Sequence, residues 1–84
     1  LNTKAGITVL QFDEKRLFVV CGCINGHLQL WDLNLRAMLQ QYMGHLREIQ
    51  QLQFDQDILV SASGDKTLRV FQLFSGKCIH VLRG

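Results

Sequence analysis

No apolar run in this 84-residue sequence approaches the roughly 18 residues that a membrane-spanning helix needs, and nothing at its start resembles a signal peptide. A membrane partner is therefore not expected. Nine basic residues against seven acidic ones leave a formal charge of +2, with Lys15-Arg16 the sole adjacent basic pair. That balance is too slight to argue for nucleic acid. The three cysteines, Cys21, Cys23 and Cys78, are an odd number and contain no C-x-x-C pair, so neither a disulfide framework nor a zinc or redox motif is visible. They read as small apolar fillers, which points to a reducing, intracellular setting, cytoplasmic or nuclear. His27, His45 and His80 lack H-x-x-x-H spacing or a cysteine partner, so no metal is expected. Gly22 and Gly26 make no phosphate loop, no G-x-S-x-G elbow is present, and no cofactor is expected.

What the chain does contain is repetition. Leu10-Gln11-Phe12-Asp13 recurs as Leu52-Gln53-Phe54-Asp55, 42 residues later. Asn25-Gly26-His27-Leu28-Gln29-Leu30-Trp31-Asp32-Leu33 lies over Asp65-Lys66-Thr67-Leu68-Arg69-Val70-Phe71-Gln72-Leu73 at an offset of 40. The two-residue difference falls between Asp55 and Leu59, where the first copy has the longer turn Asp13-Glu14-Lys15-Arg16. Length changes that collect in a turn while the apolar pattern persists are what a repeated supersecondary unit tolerates. The apolar content of 48% with 19% charged residues suits a packed globular segment.

Within each copy the pattern is that of short strands. Ile7, Val9 and Leu10-Gln11-Phe12 read as a strand with a bulge, repeated by Ile49, Leu52 and Phe54. Leu17-Phe18-Val19-Val20-Cys21, matched by Ile58-Leu59-Val60-Ser61-Ala62, reads as a strand buried on both faces. Leu28-Gln29-Leu30-Trp31 and Leu68-Arg69-Val70-Phe71 supply a third, and Met38–Tyr42 and Cys78–Leu82 a fourth. Residues 33–42 contain good helix formers, yet the aligned stretch carries Ser75-Gly76, Ile79 and Val81, so the repeat favours a strand in both. Asn25-Gly26, Gly64-Asp65 and Ser75-Gly76 are the turns between them. The fold class expected is all-β, two four-stranded antiparallel sheets, with units at 1–44 and 45–84.

Four strands in about 40 residues, with Gly44-His45 before the second copy's first strand and Trp31-Asp32 ending the first copy's third, resemble the WD-repeat β-propellers. In the second copy Phe71 and Gln72 stand for Trp and Asp; in the first, Asn2-Thr3 stands for Gly-His and Asn25 for the turn aspartate. Leu-Gln-Phe-Asp, with Ser75-Gly76-Lys77-Cys78-Ile79-His80-Val81-Leu82-Arg83-Gly84, is similar to the propellers of F-box/WD-repeat proteins, substrate receptors of cullin-type ubiquitin ligases. The resemblance implies a non-catalytic protein-interaction scaffold and, more narrowly, the substrate-recognition part of an SCF-type ubiquitin ligase adaptor. A structural subunit of a large trafficking or RNA-processing complex is the alternative. Other proteins, and the remaining blades of a parent propeller, are the partners implied, because two blades cover only the faces between them and such rings use about four to eight. A symmetric assembly of identical two-blade chains is the rival way to cover those faces.

His45, Ser61 and Asp65 are the types of a Ser/His/Asp triad. The resemblance assigns them instead to a structural hydrogen-bond network with the third-strand tryptophan position, of which Trp31 is the first copy's example. That network is expected to be incomplete in both copies, since Phe71 has no indole N–H and Thr3, Cys21 and Asn25 offer Trp31 weak partners. His45→Ala is accordingly expected to cost more stability than Thr3→Ala. Partners of propellers usually meet the narrow face around the channel, which the resemblance places at Glu48 and Gln50, at Gly6 and Thr8 in the first copy, and at Ile24 and Gly64 before the turn. No arginine occupies these positions, so no phosphate clamp is expected from them.

Overall fold

The computed structural model describes residues 5–84. The described residues form eight strands: β1 (Ile7–Asp13), β2 (Phe18–Cys23), β3 (Leu28–Asp32), β4 (Ala37–Tyr42), β5 (Ile49–Phe54), β6 (Ile58–Ser63), β7 (Thr67–Gln72) and β8 (Cys78–Arg83). They make two antiparallel sheets, β1-β2-β3-β4 and β5-β6-β7-β8, in which each strand neighbours the next in sequence. Met38–Tyr42, within the stretch of helix-forming composition, lies in β4. Pairing with β3 and packing of Tyr42 at the core outweigh its local propensity.

The duplication extends to irregularities. A bulge interrupts β1 between Ile7 and Val9 and β5 between Ile49 and Gln51; another interrupts β3 between Leu30 and Trp31 and β7 between Val70 and Phe71. Each bulge re-aims the side chains beyond it, so the two sheets present their residues with the same stagger. The aspartates that end β1, β3 and the fifth-strand run open the turns. Asp13 Oδ1 accepts from the N–H groups of Lys15 and Arg16, Asp32 Oδ1 from those of Asn34 and Leu35, and Asp55 Oδ1 from those of Asp57 and Ile58. A short acceptor side chain at that position substitutes for backbone pairing in the turn.

The core lies between the sheets. Val20, Leu28, Leu30 and Tyr42 from the first meet Ile49, Leu59, Phe71 and Leu73 from the second. Tyr42 and Phe71 rings are 5.3 Å apart, and the Tyr42 hydroxyl donates to the carbonyl of Leu73. Its phenol pKa is raised by burial, so it remains a donor. β2 passes close to β5 at Gly22: a Cβ there would lie 2.5 Å from Ile49 Cγ2, so this approach requires glycine. Polar bonds then fix the lateral position. Gln11 Oε1 accepts from the N–H of Phe54 at 3.0 Å, and the Arg16 guanidinium donates to the Asp55 carbonyl at 3.0 Å while lying over the rings of Phe18 and Phe54. Gln40 Nε2 donates to the Phe74 carbonyl at 2.8 Å.

Candidate functional site

Two features gather at the end of the molecule where β2 turns into β3 and β4 leads into β5: a buried polar network and, outside it, a set of exposed loop side chains. The network begins at Asp65, in the β6–β7 turn. Asp65 Oδ1 accepts from the Thr67 backbone N–H at 2.9 Å and from the Thr67 hydroxyl at 2.6 Å. Asp65 Oδ2 accepts from the Leu46 N–H at 2.9 Å and faces His45 Nδ1 at 3.2 Å. On the other side of the ring, His45 Nε2 lies 2.8 Å from Ser61 Oγ.

These partners define the tautomer. A carboxylate can only accept, so Nδ1 carries the proton and Nε2 accepts from the Ser61 hydroxyl. Burial lowers the His45 pKa, the hydrogen bond and charge of Asp65 oppose that, and the nearby Arg69 charge adds to the lowering. The ring is thus held neutral. For Asp65 partial burial acts upward, but the bonds from Thr67, Leu46 and His45 prevail and hold its carboxyl well below the usual carboxylate range. Ser63 completes the turn: its hydroxyl donates to the Arg47 carbonyl at 3.0 Å and accepts from the Asp65 N–H at 3.1 Å.

The polarity Ser–His–Asp is that of a hydrolytic triad, but the side chain of Ser61 has no solvent exposure and that of His45 is likewise enclosed. A nucleophile needs access to its substrate. What the arrangement does chemically is to satisfy donors and acceptors that packing has removed from water, and so to pin the β4–β5 connection onto the β6–β7 turn.

Trp31 lies outside this network. Its indole N–H donates to Gln29 Oε1 at 2.9 Å, so the expectation that Trp31 lacks a good partner is corrected. Gln29 and Trp31 are two apart on β3, and the partner was available on the tryptophan's own strand. Thr67 and Ser63 were also missed, although the spacing of Thr67 two residues after the turn aspartate is a signal for an Asx-type turn. Thr3, compared with His45 above, and Asn2 lie outside the described residues.

Of the residues expected to meet a partner, Ile24 is 61% exposed and Gln50 is exposed, flanking wholly buried Ile49 with half-buried Glu48 on its other side. The Glu48 carboxylate lies over Gly64, where a Cβ would be 1.9 Å from Oε1. Gly64 therefore supplies space rather than a contact group. The Thr8 hydroxyl is turned to the sheet–sheet joint and donates to the Ile49 carbonyl at 2.5 Å. Gly6 accepts the Ile24 N–H through its carbonyl. Two residues not anticipated, Met43 at 58% and Leu46 at 85% exposure, stand on the same loops. The loops touch: a Cβ on Gly26 would be 2.5 Å from the His45 carbonyl oxygen, and Gly26 has a φ of +89°. Ile24 and Leu46 thus stand on two loops that meet at Gly26.

Elsewhere, Cys21, Cys23 and Cys78 are free thiols, and burial pushes Cys21 up to about 11. Among the described residues no group of three or more His, Cys, Asp or Glu side chains is placed to hold a metal ion, and no helix is long and apolar enough to cross a membrane.

Comparison with known proteins gives consistent results. The family model described as "WD domain, G-beta repeat" matches residues 36–72. "WD repeat and SOCS box-containing protein 1" of Xenopus tropicalis is 40% identical over 78 residues, and its human counterpart 38% over 78; each alignment covers 88% of this chain and 18% of the relative. The chain therefore spans under a fifth of the length of these relatives. "Mitochondrial division protein 1" of Candida glabrata is 33% identical over 87 residues, covering 92% of this chain and 12% of its own. Among solved structures, the beta-propeller domain of Myceliophteria_thermophila Cps50 (Swd1) superposes with a TM-score of 0.89 at 24% identity, covering 99% of this chain and 26% of that one. The computationally designed Ika4 protein superposes at 0.86 with 31% identity, covering 99% and 51%.

Proposed function

This chain belongs to the WD-repeat β-propeller family, whose fold is generally a non-catalytic scaffold for protein interaction, and on that premise we propose that its two blades form part of a surface that recruits a protein substrate to a ubiquitin ligase. The observation that carries the recruiting surface is the loop end. Ile24, Met43 and Leu46 are exposed there on connections whose backbones the His45–Asp65 network holds in place. Apolar side chains on a preorganised backbone contribute burial on binding without a large ordering cost. Gln50, Glu48 and Arg47 supply polar groups beside them, as the rim of an interface does.

The ligase part of the reading draws on two likenesses: the F-box/WD-like wording of the repeats, and relatives whose names join WD repeats to a SOCS box. Both describe a propeller coupled to a second module. Affinity capture of the protein as it occurs in the cell tests the proposal, comparing wild type with Ile24→Asp plus Leu46→Asp. Cullin-type ligase subunits are expected in both captures, with ubiquitylated proteins lost from the variant alone. Capture without ligase subunits, or ubiquitylated proteins indifferent to the variant, overturns it.

A further inference from the structure

Behind the exposed connection Met43-Gly44-His45-Leu46 lies a cation without a counter-ion. Arg69, half-buried on β7, lays its guanidinium against Gly44, where a Cβ would be 2.7 Å from Nη1 and 2.9 Å from Cζ. The ion pairs among the described residues join Arg16 to Asp13, His45 to Asp65 and Arg47 to Glu48, and Arg69 enters none of them. Its Nη1 has a long sulfur contact to Cys78 at 3.7 Å, and its buried Nε has no partner. A charged donor withdrawn from water and left unpaired costs stability. The Asp65 carboxylate at this end is already committed to Thr67, Leu46 and His45. Gly44 itself is exposed, and Met43 and Leu46, at 58% and 85% exposure, stand on either side of it along the chain. The connection thus offers two apolar side chains and, between them, a glycine with a guanidinium against it.

We propose that Arg69 receives a carboxylate from the recruited protein, a glutamate or aspartate carried between two bulky apolar residues that rest on Met43 and Leu46. The inference rests on the loop-end recruiting surface put forward above and names the chemistry of what that surface selects. A carboxylate balances the single unpaired positive charge, whereas a phosphate dianion would leave surplus negative charge in a partly enclosed place. Gly44 permits the approach, because a side chain there would collide with the guanidinium. The pairing is confined to the second blade, since the matching position of the first holds Gln29, whose amide oxygen is taken by the Trp31 indole.

Fluorescence anisotropy on the purified whole protein tests this with the labelled peptides Gly-Leu-Glu-Leu-Gly and Gly-Leu-Gln-Leu-Gly. Wild type should bind the glutamate peptide about tenfold more tightly than the glutamine one. Arg69→Met, which keeps the volume of the stem, should bring the two to equal affinity with a urea midpoint unchanged or raised, so that the loss is not one of folding. Arg69→Lys, which keeps the charge but not the planar fork, should retain part of the preference. Equal binding of both peptides by wild type, binding of neither, or a glutamate preference that survives Arg69→Met overturns the proposal. So does tighter binding of the phosphoserine counterpart of the glutamate peptide. Because the peptides report on Arg69 whether or not ligase subunits are captured with the protein, failure here and failure of the ligase reading are separate results.

Discussion

At the turn between its second and third strands, the second blade joins a histidine, two hydroxyls and a carboxylate by hydrogen bonds, whereas the first blade places Cys21, Cys23, Asn25 and His27 at the positions of Ser61, Ser63, Asp65 and Thr67. The backbone is nevertheless the same. Asn25 Oδ1 accepts the His27 N–H at 3.1 Å much as Asp65 Oδ1 accepts the Thr67 N–H, and Gly26 and Lys66 both have positive φ. The turn itself thus needs only an acceptor at its first position and a left-handed residue after it. The histidine network is an addition whose product is the fixed position of the loop carrying Leu46.

The left-handed position is where the blades should differ most under mutation. Gly26 faces the His45 and Arg47 carbonyls, so Gly26→Ala adds a clash to an unfavourable φ and should cost about 3 kcal/mol or more. Lys66 already bears a Cβ at that φ, and Lys66→Ala should stay within about 0.5 kcal/mol. Urea titration of both variants at one protein concentration checks this; similar midpoints would mean that the inter-blade contact at Gly26 does not constrain the fold.

A second contrast isolates the network. His45→Ala leaves the buried Ser61 hydroxyl and Asp65 carboxylate short of partners and should cost about 1 to 3 kcal/mol. Thr67→Val, which removes the hydroxyl alone, should cost about 1 kcal/mol, and His27→Val at the matching place in the first blade should be within about 0.5 kcal/mol. Equal losses for Thr67→Val and His27→Val in thermal melts would erase the distinction.

The same network sets an acid limb. Since burial lowers the His45 pKa in the folded chain, the unfolded chain takes up that proton first, and stability should decline as pH falls below about 6.5. Asp65, also lowered, adds a second decline below about pH 3.9, where the unfolded carboxyl protonates and the folded one does not. Melting temperatures between pH 8 and 4 should therefore slope in the wild type, and His45→Gln should flatten the slope above the carboxylate range. A slope unchanged by His45→Gln would assign the acid limb to other groups.

Strand order and the identity of the two blades were legible because alternation and a recurring tetrapeptide fix which residues share a face, and even the first-strand bulge left a mark in the spacing of Ile7, Val9 and Leu10. The burial of Val19, Val20 and Cys21 followed from their unbroken apolar run. What could not be read was how side chains act between blades. Arg16 bonds a carbonyl 39 residues away, and Gln11 meets an edge N–H whose direction depends on the register of β5 with β6. At the loop end the family resemblance pointed to Ile24, which is exposed, while the exposure of Met43 and Leu46 depends on the path of the β4–β5 connection. Thr8 shows the converse, a position assigned to a partner whose hydroxyl the inter-blade joint already engages.

The smallest contrast concerns one pair of equivalent residues. Gln29 and Arg69 hold matching places on the third strands, opposite Cys21 and Ser61, each two residues before the aromatic position. In the first blade the pair is complete, since Gln29 accepts the Trp31 indole N–H. In the second it is not: Phe71 offers no donor or acceptor, and the Arg69 guanidinium has a distant sulfur contact to Cys78 at 3.7 Å while its buried Nε has no partner. Removing a satisfied acceptor leaves the indole N–H unpaired, so Gln29→Leu should destabilise by about 1 kcal/mol. Removing an unsatisfied donor of similar volume releases a desolvation penalty, so Arg69→Met should be neutral or stabilising by a few tenths of a kcal/mol, with a small upward shift of the His45 pKa once the neighbouring charge is gone. Opposite signs in the two urea midpoints, and a histidine titration by NMR displaced upward in Arg69→Met, are the expected results; a destabilised Arg69→Met would show that the guanidinium stem packs usefully there.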